Sequence, residues 1–239
     1  MSRTNSILNT IDIILRMTRY NLKIIFANKF IWFLLGALVF YVGLNIIYVF
    51  SEQVSRVEDL YGVFVFCGIL LVFYPTVFGI QNDQDARTIE ILFGIPDYRY
   101  KVWLVRIALI YLITFVILLG FTALSSFLVI KMPVFAVTYH VLFPVFFLGV
   151  MSFMVSTMVK NGNGTAVLMI IFGMFFLILQ EPLETSKWNV FLNPFSINEN
   201  ISETAWKGIV RDNRIILFIS IIVFLLLGLF NLQKREKFI

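Results

Sequence analysis

The stretch FIWFLLGALVFYVGLNIIYVF, residues Phe30 to Phe50, carries no charged side chain. A helix needs about 20 such residues to cross roughly 30 Å of hydrocarbon, so the stretch reads as a transmembrane span. Five further runs read the same way: Leu60 to Ile80, Val102 to Ile130, Val134 to Val159, Thr165 to Gln180 and Ile215 to Leu232. The expected fold is therefore all-α, an integral membrane protein of six transmembrane helices forming one domain over 1–239.

Composition agrees. Of the 239 residues 60% are hydrophobic and 14% charged, with a mean hydropathy of +0.92; soluble domains hold roughly 45 to 50% apolar residues. A soluble fold has no place to hide that surface. Phe occurs 27 times against one His and one Cys, so the side chains of acid-base, thiol and metal chemistry are scarce, and no catalytic residue and no metal site is expected. Cys67 lies within an apolar run, where a thiol behaves as a small hydrophobe. No small-residue cleavage site follows the first apolar run, so a removable secretory signal is not expected.

The net charge of +5 raises the question of a nucleic-acid partner, and the placement of the charges answers it. With the N-terminus in the cytosol, most of the nineteen Lys and Arg residues fall on that side: Arg3 to Lys29, Arg87 to Arg106, Lys160, and Lys234 to Lys237. Arg56, Lys131, Lys187, Lys207, Arg211 and Arg214 fall on the other. That excess follows the positive-inside rule, so the charge is topological and no nucleic-acid partner is expected. Both termini are expected in the cytosol. Arg106, at the start of the third run, reads as a side chain that snorkels to the interface.

Three segments outside the spans carry pattern. Ile7, Ile11, Ile14, Leu15, Leu22, Ile25 and Phe26 recur at helical spacing, with Asp12, Arg16, Arg19 and Lys23 on the opposite face. Residues 5–28 therefore form an expected amphipathic helix on the lipid headgroups, either a coupling element or a plain topological anchor. Residues 83–99 lie within the loop QNDQDARTIEILFGIPDYRYK, where Asp83 and Asp85 favour a helix N-terminus, Ile89, Leu92 and Phe93 share a face, and Gly94 with Pro96 stops the helix. From spacing alone this is a partner-docking helix or a solvated connector. Residues 182–213 are too polar to span, and Trp188, Phe191, Leu192, Phe195 and Trp206 predict a re-entrant pair of short helices at the outer interface before the last span.

The order Asp85, Thr88, Glu90, Leu92, Pro96, Arg99 resembles the loop of ABC transporter permeases of the type 2 exporter class, whose pattern is an acidic stretch, Gly-Thr-x-Glu, a Leu pair, Pro and a basic residue. Arg87 stands where Gly is common there, and Phe93 where a second Leu is common. Leu192-Asn193-Pro194-Phe195 is similar to that family's Leu-x-Pro turn, and the resemblance extends over the interfacial helix, the spans and the basic tail. It implies a dimer with a second permease chain, identical or related, in the plasma (inner) membrane of a prokaryote. It also implies a separate ABC ATPase subunit that receives Asp85, Arg87, Thr88, Ile89, Glu90, Leu92, Phe93, Pro96 and Arg99 and contacts Arg16, Arg19 and Lys23. The chain has no Gly-x-x-x-x-Gly-Lys-Ser/Thr loop, so ATP and Mg are expected on that partner and no cofactor on this chain.

No acidic or basic residue falls near mid-membrane in the six runs, which favours an apolar or amphipathic cargo over an ion-coupled one. Asn45 and Tyr48 are candidate pathway residues by the resemblance, Tyr48 being equally an interfacial anchor. Pro75, between Tyr74 and Thr76, is either a hinge near the pathway or a tolerated kink. His140, beside Tyr139, reads as an interfacial hydrogen-bonding residue, and Asn161-Gly162-Asn163-Gly164 as a tight turn whose glycines answer to backbone geometry. Two other classes stay open: a non-transporting membrane partner that couples ATP hydrolysis to another envelope protein, and a small secondary transporter. The charge distribution makes one direct prediction. A cysteine introduced at Glu90, in a Cys67→Ala background, should react with a membrane-impermeant maleimide in opened cells and stay unlabelled in intact ones.

Overall fold

A computed structural model describes residues 29–50, 56–85, 99–197 and 201–232, with the backbone alone at 99–101. The interfacial segment 5–28, with Arg16, Arg19 and Lys23, lies outside the described residues. All regular structure among them is helical: α1 Phe30–Phe50, α2 Val57–Val77, α3 Gly79–Asp85, a π-helical turn Arg99–Leu104 that runs directly into α4 Val105–Leu128, then α5 Val134–Val159, α6 Gly162–Ile178 and α7 Glu203–Asn231. Five stretches are long and apolar enough to cross a membrane: Phe30–Phe50, Val57–Asp85, Val102–Leu128, Val134–Val159 and Glu203–Asn231. They are the helices of a multi-pass membrane protein. The expected fifth span falls on α6, an apolar helix of 17 residues, or about 25 Å at 1.5 Å per residue.

α1 and α5 begin and end where hydropathy places them. α7 does not: it starts at Glu203, twelve positions before Ile215, because Ser202 caps it through the Ala205 amide at 3.4 Å and Glu203 pairs with Lys207 at 2.7 Å. Its first turns are amphipathic, so hydropathy passes over them. Residues 179–197 run as successive turns rather than as the expected pair of short helices. Pro75 has no N–H to give the preceding turn, and Thr76 turns its hydroxyl back onto the Val72 carbonyl at 2.7 Å. α2 then breaks at Phe78 and resumes as α3, which leaves the two segments hydrogen-bonded through Asn82 N to Phe78 O at 2.8 Å.

α2 and α5 form the centre, with 72% of their most apolar windows buried against 22% for α1 and 28% for α7. α7 and α2 pack on α5, α1 and α4 flank α2, and α4 also meets α5. The outward faces are apolar: Trp32, Phe50, Phe127 and Ile178 are all largely exposed. Lipid gives such faces the solvent they need, but it also removes the hydrophobic drive that would hold helices together, so close packing and polar ties must do so. Tyr41 and Asn45 of α1 supply one tie. The Tyr41 hydroxyl donates to Phe121 O at 3.0 Å and lies 3.0 Å from Ser125 Oγ, which donates to Asn45 Oδ1 at 2.7 Å. Thr122 and Thr138 join α4 to α5 at 2.8 Å, and Tyr111 donates across the same pair of helices to Phe146 O at 2.8 Å.

Close packing is set by small residues. A Cβ at Gly68 would stand 2.5 Å from Val145 Cγ2, and one at Gly228 would stand 2.7 Å from the Phe153 ring, whereas Gly120 faces open space. Gly228→Leu should therefore lower the melting temperature of the detergent-purified protein, at a cost of about 1 to 3 kcal/mol from overpacking. Gly120→Leu should leave it unchanged or raised in the same thermal scan.

Candidate functional site

The residues predicted to dock a partner begin at Asp85, the last residue of α3, which follows α2 after the break at Phe78. α3 has only seven residues, and each of its inner positions reaches a different neighbour. Ile80 enters a small cluster with Trp103, Ile107, Phe153, Leu229 and Leu232, drawn from the π-turn, α4, α5 and α7. Gln81 Oε1 accepts from Gly162 N at 2.6 Å, which pins the first turn of α6. Asn82 donates to the Tyr74 hydroxyl at 3.2 Å. Asp83 accepts from Arg106 Nη1 of α4 at 2.8 Å.

That ion pair is buried on both sides, with side-chain exposures of 4% for Arg106 and 6% for Asp83. Arg106 therefore does not snorkel: it is buried against the Asp83 carboxylate. The 2.8 Å contact with the Asp83 carboxylate gives the buried guanidinium its acceptor inside the protein. Its guanidinium carbon also sits 4.5 Å from the Trp103 ring centre, and the Trp103 ring lies 5.8 Å from that of Phe153 in α5. Arg106 Nε has no hydrogen-bond partner among the described residues. Buried pairs of this kind are expensive to desolvate and more expensive to break singly.

The pair closes the base of the loop. Asp85 is exposed at the end of α3, and Arg99 opens the π-helical turn on the other stem. Arg87, Thr88, Ile89, Glu90, Leu92, Phe93 and Pro96 lie outside the described residues. A cavity of about 400 Å³ beside the stem is lined by Lys29, Phe33, Tyr74, Phe78, Gln81, Asn82, Asp85 and Asn163, so Asp85 faces the same space as the start of α1.

The expected pathway residues fall in two places. Asn45 is buried near the far end of α1, its amide donating to Tyr41 O at 2.8 Å and its oxygen held by Ser125; Tyr48, half-buried, follows it one turn on. Tyr74, Pro75 and Thr76 are buried at the loop end of α2, where the Tyr74 ring lies against Phe33 and Phe78. The structure does not bring the two sets together. The turn at 160–164 also differs in detail: Lys160, not a glycine, takes the left-handed conformation, at φ 60°. Asn161 caps α6 through the Asn163 and Gly164 amides, and Gly162 is required because a Cβ there would lie 2.4 Å from the Phe78 ring.

Sequence reasoning missed a second polar hub at the opposite end of the bundle. Arg214, counted there as an exterior charge, is 5% exposed. It donates to His140 Nδ1 at 3.2 Å, Asn213 Oδ1 at 2.9 Å, the Tyr61 hydroxyl at 3.3 Å and Leu192 O at 3.0 Å. The expected hydrogen-bonding part for His140 is what the structure has. The signal lay in the sequence as Asn213-Arg214 abutting an apolar run, but nothing local told a buried arginine from an anchoring one. Among the described residues no group of three His, Cys, Asp or Glu stands close enough to hold a metal ion. The chain matches no protein-family model, no curated protein and no solved structure.

The ion pair predicts a strong and lopsided mutational response. Arg106→Met leaves Asp83 without its guanidinium and should destabilise the protein by about 3 kcal/mol or more in reversible unfolding. The double change Asp83→Asn with Arg106→Met should cost less than the sum of the two single changes.

Proposed function

We infer that the chain is the transmembrane subunit of an ATP-binding cassette exporter, non-catalytic itself, which pairs with a second permease chain and with a separate ATPase subunit that binds ATP and Mg. In this reading it lies in the plasma membrane of a prokaryote with both termini cytosolic, and it moves an apolar or amphipathic cargo. The single observation that supports it most is mechanical. The two stems of the 83–99 loop are joined by a buried 2.8 Å ion pair, and the stem packs on α4, α5, α6 and α7. A force applied to the loop by a docked partner would reach most of the bundle rather than bend a free connector.

The residues fit the division of labour that the family resemblance implies. Glu90 and Arg87 offer charged contacts at the loop, and Ile89, Leu92 and Phe93 a small apolar anchor. The interfacial segment with Arg16, Arg19 and Lys23 would meet the same partner. The 400 Å³ cavity between Lys29, Asp85 and the start of α6 gives the stem room to shift against α1.

The test is purification of the full chain from its native membrane and identification of what comes with it. A nucleotide-hydrolysing subunit in stoichiometric amount is the expected companion, and purified material that lacks one and hydrolyses no ATP overturns the reading. In the reconstituted complex Glu90→Lys should leave ATP hydrolysis running while cargo-dependent stimulation falls about tenfold, as expected for loss of a charge-assisted docking contact. Unchanged coupling in that variant would remove the loop from the mechanism.

A further inference from the structure

At the end of the bundle away from the loop stems, a cavity of about 680 Å³ opens between the start of α5 and the first half of α7. Arg214 forms part of its wall, and its acceptors are an imidazole nitrogen, an amide oxygen, a hydroxyl and a backbone carbonyl. Among the described residues no carboxylate lies within 4 Å of it. No carboxylate therefore offsets the guanidinium in its low-dielectric wall, where attraction for an anion is strongest. His140 also faces the cavity, and with Nδ1 accepting from Arg214 its ring has only an N–H to offer at Nε2.

Lys207 and Arg211 line the same cavity one turn apart on α7. Their acidic neighbours Glu203 and Asp212 are outside its lining, and both ion pairs are exposed, so they compete weakly for the two cations. Further along α7 the wall becomes apolar at Ile215 and Phe218, which are 49% and 55% exposed, and Phe143 faces them from α5. From Lys207 to Phe218 the stripe covers about 16 Å of helix, cations first and hydrocarbon after. Free phosphate would use the first part only; a molecule with an anionic head and an apolar tail uses all of it.

We propose that this cavity is a binding site for an acidic glycerophospholipid. The headgroup phosphate sits among Lys207, Arg211 and Arg214, and one acyl chain lies along Phe143, Ile215 and Phe218. Trp206, held by its Nε1–H on Pro194 O at 3.1 Å, also lines the cavity. The assignment stands apart from the proposed exporter function and needs no ATPase.

The test is equilibrium binding to the full chain in non-ionic detergent, read by native mass spectrometry, with three probes: short-chain phosphatidylglycerol, the matching phosphatidylcholine and inorganic phosphate. One phosphatidylglycerol per chain should bind saturably, with phosphatidylcholine and phosphate each at least about tenfold weaker. Lys207→Gln combined with Arg211→Gln, both on the surface and safe for folding, should lower phosphatidylglycerol affinity by about tenfold and leave phosphatidylcholine unchanged. Phe218→Ala should also weaken phosphatidylglycerol and leave phosphate alone. Equal binding of the two lipids, phosphate binding as tightly as phosphatidylglycerol, or a double variant with unaltered affinity overturns the proposal.

Discussion

A guanidinium inside an apolar helix bundle has no water to turn to, and that constraint organises both ends of this protein. Hydrocarbon neither solvates charge nor drives leucine-rich helices together. Arg106 and Arg214 must therefore collect acceptors from elsewhere in the chain, and each draws several elements to itself. Arg106 holds α3 and α4 around Asp83 and Trp103. Arg214 holds α7 to α2 through Tyr61, to α5 through His140, and to the 189–195 turns through Leu192.

Between these two hubs, the helices are set by close contact and by hydroxyl pairs. Gly68, Gly149 and Gly228 allow side chains of neighbouring helices to approach closely, and the Tyr41–Ser125–Asn45 and Thr122–Thr138 ties fix rotation about the helix axes. Such contacts are directional where burial of Leu against Leu is not. The bundle thus has a defined packing although its outer faces remain as apolar as its interior. α6 is the least attached of the long elements, held at its first turn by Gln81 and along part of its length by α5.

The two hubs divide the molecule's tasks under the function proposed for it. The loop end is stiff: α3 spreads its seven residues over four partners, so displacement of the loop is shared with α4, α5, α6 and α7. The other end carries its cations around an open cavity. Charge is met by a carboxylate at the first and by neutral acceptors at the second.

The amino-acid sequence by itself determined the class of fold, because length and hydropathy of a run are local properties. α1 and α5 could be delimited to the residue, and the multi-pass character followed from composition before any packing was known. What only the tertiary structure decided is which polar residues are spent on each other. Asp83 meets Arg106 across 23 positions and Arg214 meets Tyr61 across 153, separations that no periodicity encodes. The early start of α7 escaped hydropathy because its first turns are polar: a local Ser202 cap begins them, and the ties of Trp206 to Pro194 O and of Asn213 to Asn189 O exist only once the chain has folded back.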